Sequence, residues 1–167
     1  GNIIDILYAP LSALEVSISI VLAAVTRSII IGIVSTLVFF LIVDIKITNL
    51  FYIFYSAFFG SFFIGSLGFV TGLWATKFDH TATITNFIIT PLAFLSGVFY
   101  TIDKLPSIFQ TISFFNPFFH IINIFRYGFI GVSDGSIFFG MIYLPILALL
   151  AWFLAFILYK KGYKIKS

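Results

Sequence analysis

The sequence predicts an all-α integral membrane protein with four transmembrane helices, and three observations carry that prediction. Of 167 residues, 61% are apolar and only 9% are charged, whereas a soluble domain keeps about a quarter of its residues charged as a wettable shell. The charges are not scattered. They bracket uncharged runs close to the length, about 20 residues, that crosses a hydrocarbon core as a helix. Four of the nine basic residues, Lys160, Lys161, Lys164 and Lys166, follow the last run, so the net charge of +3 reflects one tail. A nucleic-acid partner is not implied.

The first segment, residues 1–15, is built differently from the spans. Asn2 is expected to cap a short helix on which Ile3, Ile6 and Leu7 would share a face, with Pro10 ending it. Ser12-Ala13-Leu14-Glu15 then has capping-box spacing, so a long helix is expected to run from Ala13 to Val43. Its membrane part is residues 22–43. Only sixteen uncharged residues separate Arg27 from Asp44, so this span is long enough only if Arg27 sits near one end and snorkels to the headgroups. Residues 50–75 form the second span, 82–102 the third and 137–159 the last, where Pro145 is tolerated as a kink. The whole of 1–167 is thus one membrane domain.

Residues 103–135 break the pattern. The stretch 105–125 is uncharged and long enough to span, but it contains Pro106, Gln110, Asn116, Pro117, His120 and Asn123. It is expected to form two short helices, with each proline in a first turn and Asn116 as a cap. A broken apolar segment survives at membrane depth only against protein or a wet cavity, which predicts a re-entrant or interfacial helical hairpin. The lysine tail keeps the C-terminus cytoplasmic. Four spans then leave the N-terminal segment and the turn at 77–80 inside, and the 103–135 hairpin outside.

Chemistry is sparse. The chain has no cysteine, no Gly-Lys pair for a phosphate loop and no Gly-x-Ser-x-Gly elbow, and His80 and His120 belong to separate segments. The span centres are expected to be uncharged, which argues against a proton or ion path. No catalytic residue, metal site or cofactor is therefore assigned. Ser61, Gly65, Gly68 and Gly72 recur as one helical stripe suited to close packing, within the subunit or at a subunit interface or moving seam. Arg126 and Asp134 stand either as headgroup anchors or as groups that guide an anionic substrate or steady the hairpin. His120 is a structural hydrogen-bonding group or a ligand or switch. Asp5 and Tyr8 face a partner or the headgroups.

Several blocks, in order, resemble one family: Tyr8-Ala9-Pro10-Leu11-Ser12 with Leu14-Glu15, then Thr90-Pro91-Leu92-Ala93-Phe94-Leu95-Ser96-Gly97-Val98-Phe99-Tyr100, then Leu105-Pro106, Asn116-Pro117 and Phe125-Arg126-Tyr127-Gly128. They resemble the permease subunit of type-2 ABC transporters, closest to bacterial inner-membrane permeases of the drug and polysaccharide export group. The resemblance covers essentially the entire chain. It implies a six-span subunit that forms a homodimer in the lipid bilayer and is driven by a separate ABC ATP-binding subunit, which holds the ATP and Mg. The part that would be missing is an N-terminal segment and two spans, in keeping with Met141 as the single methionine. By the same resemblance residues 2–9 are the coupling helix, with Asp5, Tyr8, Pro10 and Glu15 serving ATPase coupling. The hairpin residues Pro106, Asn116, Pro117, His120 and Arg126 would lie at the exit. The cargo implied is a hydrophobic drug or a lipid-linked or polysaccharide molecule. The rival readings are a non-transporting membrane scaffold or assembly factor, and a membrane enzyme acting on lipid-linked substrates. Asp103, His120 and Asp134 are too dispersed to support the enzyme.

Overall fold

A computed structural model describes residues 11–44, 47–75, 78–99 and 101–162. All regular structure among them is helical. Helix α1 (Ala13–Phe40) begins at the predicted box: the Ser12 hydroxyl accepts from the Glu15 N–H at 3.3 Å, and the Glu15 carboxylate accepts from the Ser12 N–H at 2.7 Å. Two free N–H groups of the first turn are thereby satisfied. Helix α2 (Leu50–Trp74) starts from Asn49, whose side chain accepts from the Phe51 N–H at 3.0 Å. Both helices match the predicted spans to within a few residues.

Over the third predicted span, 82–102, the described chain is helical as far as Phe94. The chain there forms α3 (Phe78–Ile84), a π-helical turn (Thr85–Ile89) and α4 (Thr90–Phe94), of seven, five and five residues. Together they form one contiguous helical run that rises about 25 Å, at the short end of what a span needs. The break has a local cause. Pro91 offers no N–H to the Phe87 carbonyl and its ring crowds that oxygen, and one residue earlier the Thr90 N–H bonds back to Thr85 across a wider turn. The chain then leaves the helix through Gly97, at φ 78°.

A 3-10 turn (Ile102–Lys104) leads to α5 (Ser107–Phe115) and α6 (Pro117–Ile130), the two short helices expected from the sequence. They meet at 84°, a corner instead of an antiparallel hairpin. Asn116 caps α6 by accepting from the Phe118 N–H at 3.0 Å, Pro117 fills its first position, and Gly131 ends it in the left-handed region at φ 71°. Helix α7 (Ile137–Lys160) starts from Ser136 and carries Pro145. Among the described residues, α1, α2 and α7 are long and apolar enough to cross a membrane, and the bent pair α5–α6 would make a fourth crossing if counted as one.

The core lies where α1, α2 and α7 meet: Val21 and Val25, Phe62 and Phe63, and Ala148 and Ala151. Small residues let the backbones close up. A Cβ on Gly65 would stand 3.0 Å from the Ala24 Cβ, and Leu144, Ala148, Ala151 and Ala155 form the buried stripe of α7. Helix α6 runs along α2. Phe118 packs on Phe63, Gly60 abuts Ile121, and Gly128 meets Ile53 and the Asn49 carbonyl. So α6 starts beside the middle of α2 and ends at its N-terminus. There the Asn49 N–H donates to the Gly128 carbonyl at 2.8 Å, and the Thr48 hydroxyl to the Phe129 carbonyl at 2.8 Å, so groups at the start of α2 satisfy carbonyls at the end of α6.

Candidate functional site

The polar side chains of the described residues converge on the corner between α4, α5 and α6, and the reason is backbone accounting. Short helices leave carbonyls without partners, and in an apolar setting each one left free costs about 1–3 kcal/mol. At the end of α4 the Leu92 carbonyl accepts from Asn116 Nδ2 at 2.6 Å, Leu95 from Ser113 Oγ at 3.0 Å, and Gly97 from Arg126 Nη2. At the end of α5 the Phe114 carbonyl is 2.8 Å from His120 Nε2, and Phe115 accepts from the Tyr143 hydroxyl at 2.7 Å. Arg126 also pairs with Asp134, whose side chain is 8% exposed. The Asp134 N–H donates to Asn123 Oδ1 at 2.7 Å, and Asn123 Nδ2 donates to the Gly135 carbonyl at 3.2 Å.

Five predicted hairpin residues therefore divide. Asn116, His120 and Arg126 are brought together as carbonyl clamps, while Pro106 and Pro117 shape the starts of α5 and α6. His120 is fully buried among the rings of Phe114, Phe119, Phe139 and Tyr143. A carbonyl can only accept, so the bond to Phe114 assigns the proton to Nε2 and leaves Nδ1 without a partner, facing Gly140. No group of three His, Asp or Glu side chains among the described residues could hold a metal ion.

The predicted packing stripe also divides. Gly65 approaches α1 and Ser61 is half-buried, whereas Gly68 and Gly72 face open space, with nothing within 4 Å of an added Cβ. Of the coupling residues, Asp5, Tyr8 and Pro10 lie outside the described residues, and the Glu15 carboxylate is occupied by its cap. A groove of about 200 Å³ opens between α1 and α2, with Ser28, Gly32, Thr36, Ile53, Phe54 and Phe125 on its walls.

Sequence reasoning missed Ser113, Asn123 and Tyr143 at the corner, and Tyr55 beside α7. The signal for Tyr55 was present. Pro145 has no N–H for the Met141 carbonyl four residues earlier, and the Tyr55 hydroxyl donates to that oxygen. Ser56 and Gly60, four apart and both buried, were the small pair that marked the true contact face of α2.

The comparisons with known proteins agree with this architecture. The family description "ABC-2 type transporter" matches residues 1–130. The chain belongs to the ABC-2 type transporter family. Among its relatives, the inner membrane transport permease YadH of Escherichia coli strain K12 is 30% identical over 133 residues, covering 80% of this chain and 52% of YadH. Nodulation protein J of Rhizobium leguminosarum bv. trifolii is 39% identical over 61 residues, covering 36% of this chain and 23% of that protein. The chain spans about half the length of YadH. No solved structure matches it. The matched residues of this ABC-2 chain include α1, α2 and the whole corner through α6.

Proposed function

We propose that this chain is the transmembrane part of the permease subunit of an ATP-driven exporter in a bacterial inner membrane. The observation that carries the reading is the ABC-2 family match over residues 1–130, and the likeness to YadH, an inner membrane transport permease, supports it. The permease works as a homodimer in the lipid bilayer, without chemistry of its own. ATP and Mg belong to a separate ABC ATP-binding subunit docked on the segment containing Asp5, Tyr8 and Pro10 at the foot of α1.

The geometry supports the sidedness. The lysine tail after α7 favours the cytoplasm, which sets Asn49 and Gly131 at the outer face. Helix α6 then enters from outside and reaches the middle of α2, as expected of a re-entrant element whose carbonyls are clamped by side chains. ATP binding closes the two ATPase subunits, their movement is passed to α1, and the dimer path opens outward around the corner. Such a change is driven only if the two states differ in contacts with the ATPase. The cargo is a hydrophobic drug or a lipid-linked or polysaccharide molecule.

The test is co-purification of the full-length protein with the ATPase encoded beside it, in lipid nanodiscs, with ATP turnover measured on the complex. A stoichiometric complex whose turnover changes with Asp5→Ala or Tyr8→Ala is expected. A correctly inserted protein that recruits no ATPase would overturn the permease reading.

A further inference from the structure

His120 reads from the sequence as a structural hydrogen-bonding group or as a ligand or switch, and its burial narrows the choice. The ring has no exposed surface within the described residues, so neither another segment nor a second copy can give it a partner without displacing it. Its neighbours are the rings of Phe114, Phe119, Phe139 and Tyr143, with centroids 5.0 to 5.8 Å away and none stacked face to face. Nδ1 is buried without a partner. A methyl group on Gly140 would stand 3.1 Å from it and 3.2 Å from Ile124 Cδ1, so α7 closes directly over this nitrogen. The closed corner therefore holds a neutral ring, with its proton on Nε2 and a bare lone pair on Nδ1.

A second proton has no place there. On Nδ1 it would set a charged donor against aliphatic and aromatic carbon, which is costly away from water. No anion offsets that charge. Helices α4 and α5 carry no ionisable side chain, and the half of α7 that faces the corner presents only Tyr143, whose hydroxyl donates to the Phe115 carbonyl. On α6 itself Arg126 is taken up by Asp134, and Tyr127 packs on Tyr52 of α2. In water, by contrast, an imidazole gains its second proton near about pH 6.5. The buried and the released ring thus differ in proton binding, which is the condition for pH to shift their populations.

What the ring holds in place is lightly anchored. Ser113 is the buried residue of α5. Three hydrogen bonds tie the last turn of α5 to its neighbours: the Ser113 hydroxyl to the Leu95 carbonyl, His120 Nε2 to the Phe114 carbonyl, and Tyr143 to the Phe115 carbonyl. Elements with few buried contacts open locally before the whole fold does.

We propose that His120 is a proton-operated latch on the corner. Neutral, it ties the end of α5 to α6 beneath α7. Protonated, the ring leaves its niche for water, the Phe114 carbonyl loses its donor, and α5 swings away from α6, with one proton taken up per opening. The latch stands on the geometry of the corner alone; its use, opening the exit as pH falls on the outer face, rests on the exporter reading.

The test reads the opening of α5 and needs no ATPase. Ser113→Cys is made in the full-length protein, with any cysteine outside this chain replaced. Its reaction with N-ethylmaleimide in phosphatidylcholine nanodiscs is followed from about pH 7.5 to about pH 5.5, the range that brackets an ordinary histidine. Each rate is divided by that of a free cysteine peptide at the same pH, which removes the titration of the thiol itself. The quotient is expected to rise about tenfold over this range, as follows from one proton bound only in the open state. It should stay flat in His120→Gln, which keeps a neutral N–H donor for Phe114. If that variant does not fold, His120→Phe, which fills the niche with a ring that cannot titrate, takes its place with the same flat profile expected. Ala148→Cys, in the core of α1, α2 and α7, should show no rise. A flat quotient for Ser113→Cys with His120 present would overturn the proposal. So would an equal rise without His120, which would assign the pH dependence to another group, or an equal rise at Ala148→Cys, which would mean unfolding of the whole bundle. Failure to recruit an ATPase bears on the exporter reading alone and leaves these results standing.

Discussion

At the scale of single residues, side chains in this chain mostly repair the backbone. A proline within a helix or a short helical end exposes a carbonyl, and a hydroxyl, amide or guanidinium from elsewhere in the chain reaches it. Tyr55 and Pro145 make the most testable instance, because the second partner can be removed together with the defect. Tyr55→Phe is expected to cost about 1–2 kcal/mol, as it orphans the Met141 carbonyl. In a Pro145→Ala background, where an N–H returns to the helix, the same change should cost close to nothing. Thermal unfolding of the four proteins of this cycle in nanodiscs checks it, and additive effects would reject the pairing. Asn116, Ser113 and Arg126 do the same work for α4. They were singled out or passed over in the sequence by residue type, whereas their acceptors, 18 to 29 positions away, are set by how α4 and α6 meet.

At the scale of helices, composition foretold which segments are helical better than which faces touch. The caps at Ser12 and Asn116 are local events, legible from a few neighbouring residues, and each starts a helix where expected. Glycine spacing was less informative, since a stripe of small residues looks alike whether or not a helix lies against it. Gly128 and Gly68 separate the cases. A methyl group on Gly128 would stand 2.9 Å from the Ile53 nitrogen and 3.1 Å from the Asn49 oxygen, backbone atoms that cannot move aside, while Gly68 has open space. Gly128→Ala is therefore expected to destabilise by about 1–3 kcal/mol. Gly68→Ala should be neutral or slightly stabilising, through helix propensity alone. Unfolding midpoints of the two variants in detergent decide the point, and equal values would show that α6 does not pack on α2 as described.

At the scale of the whole molecule, orientation is the property on which the exporter reading depends. A single cysteine introduced by Ser107→Cys or Ser133→Cys, both at exposed positions, should react with an impermeant reagent in intact cells. One introduced by Lys164→Cys should react only after permeabilisation. The reverse pattern would turn the subunit over and put the corner on the ATPase side.

Membrane class, the long apolar helices α1, α2 and α7 and the break at Asn116-Pro117 follow from the chain alone, because hydropathy, charge spacing and capping act over a few residues. The interrupted third helix was half legible: Pro91 stood in plain view, but whether a proline kinks, widens or ends a helix depends on what receives the freed carbonyls. The register of α1 against α2 and α7 was not legible at all. Charge spacing and capping measure distance along one helix, whereas register is a relation between helices, fixed only when Ala24 docks on Gly65 and Val25 joins the core with Phe62 and Ala148.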